Sequence, residues 1–121
     1  MRGGLKFRIR HKIFALIFAA GLASPVAADD PPEWFAPVKP FHIIGNIYYV
    51  GTKGLAAYLI LGKDGAILLD GTSARNAKQI EHNIESIGVP LRQVKLIISS
   101  HAHEDHVGAL AEIKHATGAR F

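Results

Sequence analysis

Hydrophobic and polar residues first alternate with the short period of β-structure. Apolar residues at 41–50 flank the pair Gly45-Asn46, which is the pattern of a β-hairpin with a tight turn. A second strand is predicted at 55–61. The turn at 62–65, with Gly at both ends, leads into a third strand at 66–70. The chain from residue 41 to residue 70 is therefore predicted to be a series of antiparallel strands.

The hydrophobic period lengthens to that of a helix after residue 72. Apolar residues spaced by three and four positions predict an amphipathic helix over about 73–87. Thr72 or Ser73 can cap its start, and Gly88-Val89-Pro90 ends it. The apolar stripe consists of Ala77, Ile80, Ile84 and Ile87.

A run of apolar, largely β-branched residues at 94–99 predicts a buried strand. Two strands joined by a helical crossover of this length form a right-handed unit with parallel strands. A second helix is predicted over about 106–117, with Leu110 and Ile113 facing inward and Gly118 at its end. Residues 119–121 then begin another strand. The pattern as a whole predicts an α/β fold.

The first 28 residues differ in composition from the rest. Five of the 14 Lys and Arg residues precede residue 13, and an apolar stretch follows at 13–22. The small residues Val26-Ala27-Ala28 come next, which completes the pattern of a cleavable export signal. A membrane anchor is the alternative, but it needs about 20 apolar residues, roughly twice this run. We therefore predict a signal peptide over 1–28, cleaved after Ala28, and no stable membrane association afterwards.

The remaining composition excludes some partners and limits the size of the fold. The formal net charge of +4 comes from the basic start, and from residue 29 onward the two signs nearly balance, so the charge does not indicate a nucleic-acid partner. Five of the six prolines lie at 25–40, which predicts an extended leader over 29–40. A chain of 121 residues without cysteine has room for one small domain, at 41–121, and no disulfide.

Three of the seven histidines lie directly after the predicted buried strand, in the segment Ser-Ser-His-Ala-His-Glu-Asp-His at 99–106. Side chains two positions apart in extended backbone point the same way, so His101 and His103 can bind one ion. Asp105 and His106 lie where the loop becomes a helix, so they can be directed at a second ion. Imidazole and carboxylate groups suit Zn²⁺. Glu104 is expected to face away from this cluster.

Neighbouring residues complete the prediction for this edge of the sheet. Ligands of open α/β sheets bind at the carboxyl ends of parallel strands, so Asp70 is expected to lie near the histidine cluster. Ser99 and Ser100 are interpreted as strand-end residues that hydrogen-bond the loop, since a metal site needs no side-chain nucleophile.

Each predicted ligand also has an ordinary structural interpretation. Asp105 can cap the second helix, and His106 can be a solvated residue of its first turn. His101 or His103 can be a loop histidine with a hydrogen bond. All four at this spacing after a buried strand favour a metal site, because a solvated turn has no reason to concentrate these residue types there.

The segment His101-Ala102-His103-Glu104-Asp105-His106 matches the His-x-His-x-Asp-His signature, and the chain resembles the metallo-β-lactamase superfamily. Residues 40–52, 68–71 and 100–103 are similar to the third subclass of metallo-β-lactamases, which is periplasmic and uses two zinc ions. The resemblance covers 34–121. It implies that His101 and His103 hold the first zinc, that Asp105 and His106 hold the second, and that Asp70 supports the site.

The resemblance implies an αββα sandwich, of which this chain is the first half. It also implies hydrolysis of a small-molecule substrate, a β-lactam antibiotic, by a metal-bound hydroxide that Asp105 orients, and hence antibiotic resistance. Members of the family supply two further histidine ligands downstream of the matching segment. Because this chain offers two ligands per ion, we expect it to bind zinc weakly and to hydrolyse little or nothing by itself.

Two alternatives remain open at this stage. The same fold and motif host other hydrolases, such as a lactonase or a thioesterase. Export argues against cytosolic thioesterase work, and residues 45–52 favour the lactamase. The second alternative is a catalytically inactive zinc-binding fragment, since the chain stops inside an apparent strand and a half-sheet would leave an open apolar edge.

Overall fold

The computed structural model describes residues 29–121, and the predicted signal peptide lies outside these residues. Five strands form one sheet, and their order across the sheet is their order along the chain. The first four strands pair antiparallel, while the fifth is parallel to the fourth, which confirms the predicted hairpin and the predicted crossover unit. The strands are β1 Phe41–Ile44, β2 Ile47–Tyr49, β3 Tyr58–Gly62, β4 Gly65–Leu69 and β5 Val94–Ile98.

Three α-helices accompany the strands, with short 3₁₀ turns between them. A 3₁₀ turn at Ala74–Asn76 runs directly into α1, so the helical segment agrees with the predicted 73–87. Another turn, Pro32–Trp34, lies within the predicted extended leader, which is therefore not extended throughout. None of the helices in residues 29–121 has the length and apolar character needed to span a bilayer. The helices are α1 Ala77–Ser86, α2 Glu104–Val107 and α3 Leu110–Thr117.

The predicted extents of two elements are wrong. The helix predicted at 106–117 starts earlier, at Glu104, and is interrupted between α2 and α3. The interruption has a long-range cause, because the N–H of Ala109 donates to the carbonyl of Thr72 (3.3 Å) instead of continuing the helical ladder. The strand predicted at 55–61 starts at Tyr58, because Leu55 is held in a closed loop by the backbone and side chain of Thr52.

One face of the sheet packs against the helices and forms the core. Leu59, Leu68 and Ile97 occupy paired positions on β3, β4 and β5, and each is at most 1% exposed. They form one cluster with buried residues of α1 and α3. The predicted inward positions of both helices are thereby confirmed, and these include Ile80, Ile84, Leu110 and Ile113.

The opposite face of the sheet is apolar as well, but it is only half-buried. The strand register places its residues in two rows that cross β2 to β5. Most of these side chains are partly exposed, and Ile98 is 40% exposed. We call this surface the open sheet face; it consists of Ile47, Tyr49, Tyr58, Ile60, Ile67, Leu69, Leu96 and Ile98.

Candidate functional site

The carboxyl ends of β4 and β5 meet at one edge of the sheet. Asp70 directly follows β4, and its N–H donates to the carbonyl of Ile98 at the end of β5 (2.9 Å). The loop that carries the histidines starts immediately afterwards, at Ser99. Because β4 and β5 are parallel, their following loops begin side by side. The predicted proximity of Asp70 to the histidine segment is therefore confirmed.

The turn after β4 has a strained backbone. Asp70 and Thr72 both have positive φ angles, +62° and +59°. Such angles are uncommon outside glycine, and for a β-branched residue like Thr the cost is about 1–3 kcal/mol. The N–H of Gly71 donates to the carbonyl of His106 (2.8 Å), and the carbonyl of Thr72 accepts from Ala109 (3.3 Å). The strained turn and the helical segment after the histidines therefore hold each other in place.

The carboxylate of Asp70 holds the histidine loop in place through hydrogen bonds. It is almost fully buried and accepts the N–H (2.7 Å) and the hydroxyl (2.5 Å) of Ser100. Nδ1 of His106 lies 3.0 Å from Oδ2. Burial alone would raise the pKa of Asp70, but the hydrogen bonds from Ser100 and His106 lower it below its ordinary value of 3.8. Asp70 is therefore a charged hydrogen-bond acceptor at neutral pH.

The contact between His106 and Asp70 gives the two ring nitrogens of His106 different roles. Since the Asp70 carboxylate only accepts hydrogen bonds, Nδ1 of His106 carries the hydrogen. Nε2 is then left for another partner, and it lies 3.7 Å from Oδ2 of Asp105. A histidine oriented by a carboxylate behind it, with the other nitrogen free, is the arrangement typical of a metal ligand.

The other two histidines of the segment lie next to His106. The ring centroid of His101 is 4.1 Å from that of His103 and 5.1 Å from that of His106, with edge-on packing in both cases. His101 and His103 are exposed, whereas Asp105 and His106 are half-buried. The chain thus brings three imidazoles and one carboxylate together at the surface.

By chemistry, this set of donors fits zinc, because imidazole nitrogen and carboxylate oxygen are common zinc ligands. By arrangement, the set is incomplete: in the described part of the chain, no three or more His, Cys, Asp or Glu side chains are placed so that they could hold an ion together. The four residues are neighbours, as the sequence predicted, and their roles as ligands stay predictions.

Glu104 points away from the histidines, as predicted. Its Oε1 accepts the hydroxyl of Ser73 and the N–H of Ala74, both at 2.9 Å. The predicted structural role of the two serines is also confirmed, since the Ser99 hydroxyl donates to the carbonyl of His101 (2.6 Å) while Ser100 binds Asp70. The Glu104 contact joins segments about 30 residues apart, so no local pattern in the sequence indicates it.

A shallow cavity of about 450 Å³ adjoins the histidines. It is mainly apolar, apart from the serine and histidine groups at one side. The lining residues are Ser99, Ser100, His101, Ala102, Val107 and Phe121.

Comparisons with known proteins agree with the resemblance found in the sequence. Residues 50–120 match the family model described as "Metallo-beta-lactamase superfamily". The metallo-beta-lactamase GOB-18 from Elizabethkingia meningoseptica is 40% identical with a TM-score of 0.75, over 78% of this chain and 35% of that chain. BJP-1, a subclass B3 metallo-beta-lactamase of Bradyrhizobium japonicum, is 46% identical with a TM-score of 0.71, over 74% of this chain and 34% of that chain.

A class B3 di-zinc metallo-beta-lactamase, LRA-12 from an Alaskan soil metagenome, is similar to the same extent. It is 44% identical with a TM-score of 0.75, over 78% of this chain and 36% of that chain. The chain therefore spans about a third of the length of the solved structures that it matches.

Proposed function

Because this chain belongs to the metallo-β-lactamase superfamily, we propose that it is part of a zinc-dependent hydrolase that opens the β-lactam ring. Its five-stranded sheet with helices on one face is a part of the metallo-β-lactamase fold. The observation that carries the proposal is that His101, His103 and His106 are neighbours beside Asp105, where β5 ends. The subclass B3 relatives support a β-lactam as the substrate.

We assign the ligands by their position in the signature. His101 and His103 would hold a first zinc ion, and Asp105 and His106 would hold a second. When bound in such a site, zinc supplies Lewis acidity and lowers the pKa of a coordinated water to about 7. Because the donor set within residues 29–121 is incomplete, the proposal requires further ligands from outside these residues.

The chain's own residues would prepare the site for this chemistry. Asp70 keeps the hydrogen of His106 on Nδ1, so that Nε2 faces the site as an acceptor. Asp105 places a carboxylate oxygen next to that nitrogen, where it can accept a proton from a water molecule. Neither serine is assigned as a nucleophile, because a zinc site would supply a water molecule for that role. The hydroxyls of Ser99 and Ser100 instead hold the loop through the His101 carbonyl and Asp70.

The decisive experiment uses the product of the whole reading frame that contains these residues. The protein is stripped of metal, supplied with zinc and assayed with a penicillin, a carbapenem, an acyl-homoserine lactone and a thioester. We expect zinc-dependent opening of the β-lactams and a loss of at least about 100-fold in His103→Ala. His115→Ala, an exposed histidine on α3, is the matched control and is expected to retain full activity.

The outcomes of this panel separate the alternatives. Turnover of only the lactone or only the thioester would replace the β-lactam assignment with another hydrolase of the same superfamily. A protein that neither takes up zinc nor depends on it would end the proposal.

The 121-residue chain by itself is expected to bind zinc weakly and to show little or no turnover. Catalytic zinc sites usually have three protein ligands and one water, whereas this chain offers two ligands per ion. A chromogenic cephalosporin and purified residues 29–121 provide the test. Turnover at the rate of an intact enzyme would contradict the expectation.

We also propose that the protein is exported to the periplasm through residues 1–28. The basic start, the apolar stretch and the small residues before position 29 support this. N-terminal sequencing of the protein recovered from a periplasmic extract is expected to start at Asp29, and recovery of an uncleaved cytosolic form would contradict the proposal.

A further inference from the structure

The side chain of Glu104 connects the histidine loop to the start of the first helix. A single oxygen, Oε1, accepts the Ser73 hydroxyl and the Ala74 N–H, each at 2.9 Å. Glu104 is the first residue of α2, and Ser73 and Ala74 belong to the turn that follows β4. One carboxylate oxygen therefore joins the two loops that form the edge of the site.

The donors are the groups that usually need an acceptor at the start of a helix. Ala74 begins the helical segment that continues into α1, and Ser73 is its N-cap residue. The Ser73 side chain makes no capping bond of its own, because its hydroxyl donates to Glu104 instead. Glu104 thus acts as a cap supplied from another part of the chain, and its negative charge interacts favourably with the positive end of the helix.

The backbone around this contact is tightly packed. A Cβ atom added to Gly108 would lie 2.5 Å from the Ala74 nitrogen and 2.5 Å from Oε1 of Glu104. At the third residue of α2, the carbonyl of His106 accepts the N–H of Gly71 (2.8 Å). The four-residue helix α2 is therefore attached to the turn after β4 at its first residue and again at its third.

From this geometry, we propose that Glu104 is a positioning residue for the metal centre. Its bridge to Ser73 and Ala74 sets the orientation of α2 and so directs Asp105 and His106, the two residues that follow it, toward the site. The signature matched by 101–106 leaves the residue at position 104 unspecified, so this role goes beyond the motif. The inference rests on the proposed function in one respect, namely that Asp105 and His106 bind zinc.

The test compares three variants of the product of the whole reading frame that contains these residues. Glu104→Ala removes the acceptor, while Glu104→Gln keeps an acceptor oxygen without the charge. Glu85→Ala is the matched control, because Glu85 is an exposed residue near the other end of α1. If Glu104→Ala does not fold, as judged by circular dichroism, Ser73→Ala replaces it. That variant removes one of the two donors and leaves the carboxylate in place.

The first readout needs no metal. Hydrogen exchange of the Ala74 amide, followed by NMR, reports directly on the capping bond. We expect exchange to be about ten times faster in Glu104→Ala, and to stay within about threefold of wild type in Glu104→Gln and in the control. Unchanged exchange in Glu104→Ala would overturn the inference.

The second readout is zinc affinity by calorimetry. We expect about a tenfold loss in Glu104→Ala and less than a threefold change in Glu104→Gln and Glu85→Ala. The inference is overturned if Glu104→Ala binds zinc as the wild type does, or if Glu104→Gln is as weak as Glu104→Ala. If the wild-type product of the whole reading frame takes up no zinc but shows the expected exchange pattern, the Glu104 bridge is supported and the proposed function is contradicted.

Discussion

Asp70 combines a left-handed backbone conformation with an almost fully buried carboxylate. Asp is one of the few residues besides Gly that tolerate such a backbone. Its two oxygens accept hydrogen bonds from Ser100 and His106 together. Asp70 therefore allows the sharp turn after β4 and also orients His106, the last histidine of the cluster.

The lowered pKa of Asp70 predicts a pH dependence of stability. Above its ordinary pKa of 3.8, the charged carboxylate stabilises the folded state, and this contribution is lost as the pH falls through the lower folded pKa. We expect Asp70→Asn to lower the free energy of unfolding by about 1–3 kcal/mol at pH 7. The difference from wild type should shrink toward zero below pH 3.8.

Urea denaturation of both proteins at pH 7, 5 and 3 measures this difference. Asp30→Asn, at an exposed position of the leader, is the control and is expected to follow the wild type throughout. A difference that remained constant down to pH 3 would show that Asp70 is not the group responsible.

At the scale of elements, most of the helices and strands predicted from the local sequence pattern are the ones that the structure shows in residues 29–121. The Gly45-Asn46 turn, the apolar stripe of α1 and the end of α3 at Gly118 were all predictable, because each depends on residues close together in sequence. One of the two errors is long-range, because the carbonyl of Thr72 takes the N–H of Ala109 and separates α2 from α3. The other is local, because Thr52 bonds Leu55, three residues further on, and so delays the start of β3.

The same distinction applies to the site. The spacing of 101–106 and the end of β4 were enough to predict that Asp70, Asp105 and the histidines are neighbours. The strained backbone of Thr72 and the bond from Glu104 to Ala74 were not predictable, because both depend on how two loops pack against each other.

Replacing Gly108 by Ala tests whether this packing outweighs helix propensity. Its backbone is helical, with φ −54° and ψ −44°, so propensity alone would favour Ala by about 1 kcal/mol. The added Cβ would lie 2.5 Å from the Ala74 nitrogen, and the clash is expected to dominate and destabilise the protein by about 1–3 kcal/mol. Chemical denaturation shows whether Gly108→Ala raises or lowers the free energy of unfolding. Ala111→Gly, on the exposed side of α3, calibrates the propensity contribution.

Asn83 connects α1 to the loop after β2. It is 1% exposed, and its Nδ2 donates to the carbonyls of Val50 (2.9 Å) and Gly51 (3.0 Å). Asn83→Ala leaves these carbonyls without a donor in a buried place, so we expect the free energy of unfolding to fall by about 1–3 kcal/mol. His82→Ala, at the neighbouring exposed position, should change it by less than about 0.5 kcal/mol. Equal effects of the two substitutions in thermal or urea unfolding would contradict this role.

At the scale of the whole molecule, the two faces of the sheet differ in what covers them. Helices bury Leu68 and Ile97 on one face, while the open sheet face on the other remains partly exposed. Exposed, contiguous apolar surfaces of this kind favour association with other molecules. The two faces should therefore respond in opposite ways to a charged substitution.

Two neighbouring residues of β5 make this comparison. Ile97→Lys places a charge in the core, which costs several kcal/mol, so the chain is expected to unfold. Ile98→Lys places the same charge on the open sheet face, where Ile98 is 40% exposed, and the fold should be retained with less self-association. Circular dichroism and light scattering separate the two effects. Unfolding of both variants would indicate that the open sheet face is part of the core.

The agreement between strand order and chain order has a consequence for the order of folding. Within residues 29–121, each strand pairs with the one that precedes it in the chain, so the sheet can be extended one strand at a time as the polypeptide emerges N-terminus first after the proposed export. The addition of β5 has to wait for a long connection, because the crossover through α1 must be complete first. Asp70 therefore emerges about 30 residues before its partners Ser100 and His106, and its charged carboxylate remains solvated until β5 is in place.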